Sequence, residues 1–498
     1  MLSGSEVAQH KSADSCWLVI HGKVYDFTKF LDKHPGGRAI LLKQAGADAT
    51  KEFAKIHSED VVNDLPSGSY LGELDTSTTG ALNSPVADDT TAVTTNSKEV
   101  LPLAMCVRAT DFQAEAQKIL SRRSWIYIIS SANSGQTLNE NLDSWSRVTF
   151  RPRVLRNVAN VDSRTSILGQ PSIAPFFVPP MGTMGMSHPN GEFELMRGLV
   201  RKGLHAVMST ATSKTLENVM ENHEQQLATF GGKEMNPSRL FFQLYIPTDR
   251  QKAITLLRKV KAAGYKGLWI TVDTPKLGKR TQDRRKQAEE ALEDGRDHST
   301  TTAPTSSVNN DNEFAPAVGA RPVPGQISPM ICWDDLEWIR EEWTGPIVLK
   351  GIQTAEDARL AAEYDCQGIL LSNHGGRQQH SAPSALATLL EIRKYCPEVL
   401  EKLEVFLDGG CRDGADILKA LALGATAVGI GRPFLFAMAA YGSQGVEKLI
   451  DILSEEVALG MALLGVTSID QLRPEMVNAQ ALINNMWRPE TPSILSRL

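Results

Sequence analysis

A histidine and an arginine three residues apart, in Ser372-Asn373-His374-Gly375-Gly376-Arg377, carry the strongest chemical signal in the chain. The apolar run Gln367-Gly368-Ile369-Leu370-Leu371 in front of them reads as a buried strand. Both side chains therefore sit at a strand's carboxyl end, on a turn loosened by glycine. An arginine can hold a carboxylate while a neighbouring histidine takes a proton, which suits chemistry on an anionic substrate. Taken alone, the hexapeptide equally fits a strand-end turn with a solvated arginine and a capping histidine.

Two further groups of residues point to bound cofactors. His34, in His34-Pro35-Gly36-Gly37, is followed 23 residues later by His57. Two neutral imidazoles can ligate one haem iron from opposite faces, and a Pro-Gly-Gly turn lets the backbone pass close to a flat ligand. A surface turn is the plainer reading of the tetrapeptide alone. The second group is a pair of glycine-arginine turns, Asp408-Gly409-Gly410-Cys411-Arg412 and Gly429-Ile430-Gly431-Arg432-Pro433. Free backbone N–H groups beside an arginine form a phosphate cradle.

These residues need a frame. Eight short apolar runs stand out: Ile173–Pro179, Leu204–Ser209, Leu240–Tyr245, Leu268–Asp273, Pro346–Lys350, Gln367–Ser372, Glu404–Asp408 and Ala427–Gly431. Most are separated by helix-like segments such as Ala355–Tyr364 and Gly414–Leu423. Eight β/α units predict an α/β fold, a (β/α)8 TIM barrel, with a doubly wound open sheet as the rival. No GxGxxG follows the first strand, which counts against the rival. A TIM barrel gathers its reactive groups at the carboxyl ends of its strands. Those ends carry Gly182, Ser209, Gln243 with Tyr245, Thr271 with Asp273, Lys350, His374 with Arg377, Asp408 with Arg412, and Gly431 with Arg432.

Composition divides the chain. A Ser/Thr/Asp-rich stretch, 77–100, reads as a linker between an amino-terminal unit, 1–76, and the barrel, 101–480. Residues 281–326, charged and then rich in Thr, Pro and Gly, read as a mobile loop, and 481–498 as a carboxyl-terminal arm. At 498 residues and net charge −6, the chain offers no overall basic field for nucleic acid. No apolar stretch is long enough to span a bilayer. The start, Met1-Leu2-Ser3-Gly4-Ser5-Glu6, lacks the features of a signal peptide or a mitochondrial presequence. The six cysteines form no CxxC pair, so neither a zinc site nor a disulfide framework is expected, and a reducing compartment is the simplest setting.

The His34 and His57 segment, with Cys16-Trp17-Leu18-Val19-Ile20 upstream, resembles the cytochrome b5 family over residues 4–74. The resemblance implies a small α+β domain whose haem b iron is held by His34 and His57. With 8 Lys/Arg against 11 Asp/Glu, residues 1–75 carry about −3, which suits docking to a basic redox partner. From about residue 108 to 470 the chain resembles the FMN-dependent 2-hydroxy acid dehydrogenases and oxidases. The match rests on Phe150-Arg151-Pro152-Arg153, Phe242-Gln243-Leu244-Tyr245, Thr271-Val272-Asp273-Thr274-Pro275 through to Arg280, Ile347-Val348-Leu349-Lys350-Gly351, the opening hexapeptide and Asp408-Gly409-Gly410. Together the two halves are similar to the cytochrome-type L-lactate dehydrogenases.

By that resemblance His374 is the base, Asp273 holds its imidazole, and Arg377 clamps the substrate carboxylate with help from Tyr127. Tyr245 bonds the substrate, Arg280 adds positive charge, and Lys350 stabilises reduced FMN. Pro180, Met181, Gly182, Ser209, Gln243, Thr271 and Ser372 belong with the flavin ring. Asp408, Gly409, Gly410, Arg412, Gly431 and Arg432 hold its ribityl and phosphate. Hydride and carbanion routes both remain open. The resemblance also implies electron transfer through haem to a one-electron acceptor such as cytochrome c, and a homotetramer. It places the protein in the mitochondrial intermembrane space if a presequence has been removed, otherwise in the cytoplasm. Rival readings are an oxygen-using oxidase and a non-catalytic flavin/haem redox sensor.

Five positions depart from the family's pattern. Ile128 stands where a second tyrosine is usual, and a register shifted by one would bring Ile128 rather than Tyr127 to the substrate. Met181-Gly182 replaces Thr-Ala after strand one, and Ala211 replaces the leucine common in the lactate enzymes. Smaller Gly182 and Ala211 predict a substrate bulkier than lactate, such as mandelate. His380 replaces an aspartate, for which the sequence offers no secure account.

Overall fold

The structure, a computed structural model, describes residues 1–82 except 32–33, 35–37, 55–56, 58–60, 63–64 and 67, together with 100–230, 237–293 and 327–488. In the amino-terminal unit, strands Lys11–Ser12, Ser15–Ile20, Lys23–Asp26 and Tyr70–Glu73 form one antiparallel sheet in that order. Side chains alternate along Ser15–Ile20, and both faces are covered. Cys16, Leu18 and Ile20 enter a core with Phe27, Leu31 and Leu41, whereas Val19 joins Val7, Val24 and Leu74 on the other side. The backbone N–H groups of His34 and His57 donate to the carbonyls of Phe30 and Phe53, at 2.9 and 2.8 Å. Both phenylalanines pack against the first core, so each histidine hangs from an anchored turn.

All eight expected barrel strands form. In chain order they are Phe176–Phe177, Ala206–Met208, Leu240–Leu244, Leu268–Thr271, Ile347–Ile352, Gly368–Leu371, Glu404–Asp408 and Ala427–Gly429, each parallel to its neighbours. A parallel bridge from Val178 to Ala206 closes the ring between the first and second strands.

Alternation then dictates the layers. One interior cluster takes a single residue from each strand: Phe177, Val207, Phe241, Trp269, Val348, Leu370, Phe406 and Ala427. Ile167 and Leu168, from the hairpin Thr165–Ile167/Gln170–Ser172, join the same cluster. The intervening residues, among them Met208, Phe242, Ile270, Leu349, Leu371 and Leu407, face outward into the core shared with the helices. Two residues further along each strand, the next inward layer is Pro179, Ser209, Gln243, Thr271, Lys350, Ser372, Asp408 and Gly429. An apolar plug therefore lies under a polar floor, and the reactive groups stand on that floor.

Three boundaries differ from expectation. Thr76–Ala81 is a 3-10 helix tied to the amino-terminal unit, with Thr78 Oγ1 accepting from Gly4 N at 2.7 Å, so 77–82 is not free linker. Residues 83–99 lie outside the described residues. The expected loop 281–326 opens with a helix, Thr281–Glu293. It is fastened to the helix Arg122–Ile129 by Arg122–Glu289 at 3.1 Å and Arg123–Glu290 at 2.8 Å. Its charges pair across two elements far apart in sequence, which local composition cannot show. Residues 294–326 lie outside the described residues. Within the expected arm, Leu482 and Met486 are buried in the core of their own barrel, while 489–498 lie outside the described residues. Among the described residues, no helix is long and apolar enough to cross a membrane.

Candidate active site

His374 stands two residues past Ser372 of the polar floor. Its Nδ1 lies 3.1 and 3.2 Å from the two carboxylate oxygens of Asp273, and its Nε2 lies 3.4 Å from the Tyr245 hydroxyl. Thr274 Oγ1 donates to Asp273 Oδ1 at 2.9 Å, and Ser372 Oγ accepts from His374 N at 3.1 Å. The strand bulges just past Lys350, and Gly351 takes φ +113° against Asp273, where a Cβ would stand only 2.5 Å from the Asp273 Cβ. Burial pushes the His374 imidazole down to about 4, with Lys350 adding to burial and Asp273 opposing both. Burial alone would raise Asp273, but Lys350 and His374 hold it down at about 2. The site thus presents a neutral imidazole oriented by a charged carboxylate, which is a base ready to accept one proton.

Arg377 supplies the fixed cation. Its Nη1 donates to the carbonyls of Tyr127 at 2.8 Å and Ser130 at 3.1 Å, and its guanidinium lies 5.0 Å from the Tyr127 ring centre. That places the Tyr127 ring beside the cation. Ile128 is buried and also lines the cavity. Arg432 donates to Ile128 O, Gly375 O and Ser130 O at 2.8, 3.0 and 3.0 Å, tying the end of strand eight to the His374 turn.

A cavity of about 620 Å³ joins these groups. Tyr127, Pro180, Met181, Gly182, Ser209, Ala211, Tyr245, Arg280, Lys350, His374, Arg377, Asp408, Gly409, Gly410, Arg412, Gly431 and Arg432 all line it. Four expected residues do not: Asp273 stands behind His374, and Gln243, Thr271 and Ser372 belong to the floor beneath. The floor carries unsatisfied polarity. Gln243 Nε2, Thr271 Oγ1 and Asp408 Oδ1 are buried with no hydrogen-bond partner among the described residues, a costly state that a polar ligand relieves. Their mixture of amide, hydroxyl and carboxyl groups fits the polar edge and polyol of FMN. Gly409, Gly410, Gly431 and Arg412 line the end suited to its phosphate.

The haem pair meets a similar test. The rings of His34 and His57 are neighbours, with centroids 6.1 Å apart and planes inclined at 65°. That separation would accommodate one metal ion bonded at about 2 Å to each imidazole, so His34 and His57 would hold the haem iron. His57 Nδ1 is buried without a partner among the described residues, and burial together with the His34 ring pushes the His57 imidazole down to about 3. Neutral imidazole is the form that ligates iron.

The sequence reading missed the contacts that hold the hexapeptide in place. Asn141 and Asn373 exchange amide hydrogen bonds, both at 2.7 Å, and Asn373 Oδ1 also accepts from Gly376 N at 3.0 Å. Gln378 Nε2 donates to Asp273 O and Lys276 O, both at 2.9 Å, and its Oε1 accepts from Gly278 N at 2.9 Å. Asn141 shares the buried face of Gln136–Ser146 with Thr137, Ser144 and Trp145, a largely polar stripe that gave no apolar pattern to mark it. Pro179 and Gly429, also absent from the expected set, complete the cavity wall. His380 does not line the cavity, and its Nδ1 is buried without a partner among the described residues.

Known proteins match both halves of the chain. Residues 116–479 match the family described as FMN-dependent dehydrogenase, and residues 3–75 match the Cytochrome b5-like Heme/Steroid binding domain. The L-lactate dehydrogenase (cytochrome) of Wickerhamomyces anomalus is 35% identical over 485 residues, spanning 96% of this chain and 80% of that protein. Solved structures of flavocytochrome b2 variants align at a TM-score of 0.67 and 32% identity, covering 80% of this chain and 93% of theirs. One carries an Ala→Gly and a Leu→Ala substitution with pyruvate bound; another carries the Leu→Ala substitution with benzoylformate. A variant of mandelate oxidase with (S)-mandelic acid aligns at a TM-score of 0.61 and 30% identity, covering 75% of this chain and 98% of that one.

Proposed function

The chain belongs to the FMN-dependent dehydrogenase family and carries a cytochrome b5-like haem-binding domain, and from that premise we propose that its preferred substrate is an L-2-hydroxy acid bulkier than lactate, aromatic or branched. The reaction class is oxidation of an L-2-hydroxy acid through FMN, with electrons passed toward a cytochrome partner. FMN supplies the two-electron acceptor and haem the one-electron outlet. The chain's own groups divide the remaining work. Arg377, beside Tyr127 and Arg280, holds the carboxylate; Tyr245 bonds the reacting end; and His374 Nε2 takes the proton that leaves the alcohol, its other nitrogen fixed on Asp273. Lys350, whose Nζ lies 3.3 Å from Ser372 Oγ, places a cation in the floor where negative charge would accumulate.

One observation carries the substrate proposal. Gly182 and Ala211 line the same cavity as His374 and Arg377. A wall built from a hydrogen atom and a methyl group leaves room for a large substituent. The flavocytochrome b2 variant with pyruvate bound carries both types of change, Ala→Gly and Leu→Ala, and the one with benzoylformate carries Leu→Ala alone. Each methylene of fit is worth about 1–3 kcal/mol. The test is a panel of L-lactate, L-mandelate and L-2-hydroxy-4-methylpentanoate, with flavin bleaching and haem reduction recorded together. Both larger acids are expected to exceed lactate in kcat/KM. In Ala211→Leu, mandelate should lose at least about tenfold and lactate much less. A higher kcat/KM for lactate in the unmodified enzyme sinks the proposal.

The haem-binding unit favours a one-electron acceptor such as cytochrome c over oxygen. Anaerobic mixing with substrate and cytochrome c separates the two, since an oxidase gives no cytochrome reduction there. A homotetramer is part of the same proposal and is checked by the mass in solution.

A further inference from the structure

Arg280 and Arg377 both line the cavity, two guanidiniums for a single substrate carboxylate. Arg280 and Arg377 repel, and each stands where the substrate carboxylate binds. One buried acid, Asp283, stands behind the cavity wall on the turn that follows Arg280 and takes no part in the proton transfer. Arg284 N donates to Arg280 O at 3.0 Å, so the helix Thr281–Glu293 winds directly out of Arg280. Arg280 and Asp283, three residues apart, therefore share one face of its first turn. They are only 6% and 7% exposed. Each keeps a buried atom without a partner among the described residues, Arg280 Nε and Asp283 Oδ2.

An acid in a helix's first turn is ordinarily a solvated group favoured by the helix dipole. Asp283 differs because it is buried and its Oδ2 bonds no first-turn N–H. The charged groups around it are Arg280 and Arg284 on its own helix, Arg377 on the His374 turn, and Arg123 on the helix Arg122–Ile129. Burial pushes its carboxyl up and the four guanidiniums push it back.

We infer that Asp283 is a positioning residue that balances the charge of the carboxylate clamp. It keeps Arg280 and Arg377 together when no anion is bound, and it weakens their hold on the 2-oxo acid enough for product to leave. Neither step depends on the substrate's side chain, so failure of the bulky-substrate proposal leaves this one standing.

The experiment uses full-length holoenzyme and three variants: Asp283→Asn, Asp283→Glu, and Asp283→Asn combined with Arg280→Gln. The readouts are inhibition by the 2-oxo acid product, inhibition by oxalate, and inhibition by an uncharged 2-hydroxy amide. Removing one charge at this range should tighten both anions on the order of tenfold. The amide should be unaffected, and Asp283→Glu should restore the original constants. A merely structural role predicts that both anions bind more weakly or unchanged, with the amide affected equally, and that result overturns the inference. If Asp283→Asn loses its flavin, the double variant decides. Removing one guanidinium with the carboxylate must restore flavin content, and failure to do so is equally fatal.

Discussion

At the scale of single residues, the decisive feature is that His374 is kept neutral. Burial and the Lys350 cation both disfavour imidazolium, and Asp273 only partly offsets them. An imidazole depressed from 6.5 to about 4 is competent as a base across the whole neutral range. Its protonation as pH falls through about 4 removes the base, so kcat/KM should be flat above that value and decline below it. In Asp273→Asn the carboxylate that raises the imidazole is gone, so the inflection should move lower still while the rate drops. His374→Gln should cost about 10²–10⁴ in kcat with flavin content unchanged. A pH–rate profile bending near 6.5, the ordinary histidine value, contradicts this account. That His374, Arg377 and Lys350 line one cavity was readable because each follows an apolar strand run beside a glycine. Asn141 was not readable, because its partner Asn373 is 232 residues away.

At the scale of elements, every strand does two jobs through its period of two. One inward residue completes the apolar plug, and the next inward residue furnishes the floor. Strand existence was legible as short apolar runs, but strand ends were not. The run Ile173–Pro179 contains a paired strand of only two residues, since the chain beyond Val178 bends to line the cavity. The long helix Arg432–Leu464 shows how a local break serves packing. It starts on Gly431 and Pro433 beside the cavity and kinks at Gly442, which takes φ +59° and ψ −145°. There Glu194 Oε1 accepts from Ser443 N at 2.7 Å, and a Cβ on Gly442 would lie 2.8 Å from that oxygen. Gly442→Ala is therefore expected to cost about 1–3 kcal/mol through backbone strain and crowding. At about 2–4 °C per kcal/mol for a domain of this size, a thermal melt should detect it. The kcat/KM should stay unchanged, because the kink lies away from the cavity residues. An unaltered melting temperature contradicts the strain argument.

At the scale of the whole molecule, two cofactor sites share one chain, and each should fail independently. His57→Ala or His34→Ala removes one of two neighbouring imidazoles and should abolish haem binding, seen as loss of the haem absorption bands. Substrate should still bleach the flavin in such a variant, while cytochrome c reduction falls to background. Cytochrome c reduction at the unmodified rate without haem contradicts the assignment of haem as the outlet.

The sequence by itself determined whatever depends on neighbours along the chain. The alternation that builds the barrel, the glycine-arginine turns after strands seven and eight, the strand-end His374 and Arg377, and the paired histidines of the amino-terminal unit all belong here. Such features are set by backbone periodicity and turn chemistry, which act over a few residues. The tertiary structure alone decided how distant groups meet. It paired Asn141 with Asn373, docked the charged run after Arg280 as a helix, and buried Asp283 on the turn that follows Arg280. Burial, charge balance and hydrogen-bond satisfaction depend on the groups that surround a residue in three dimensions, and no local pattern encodes them.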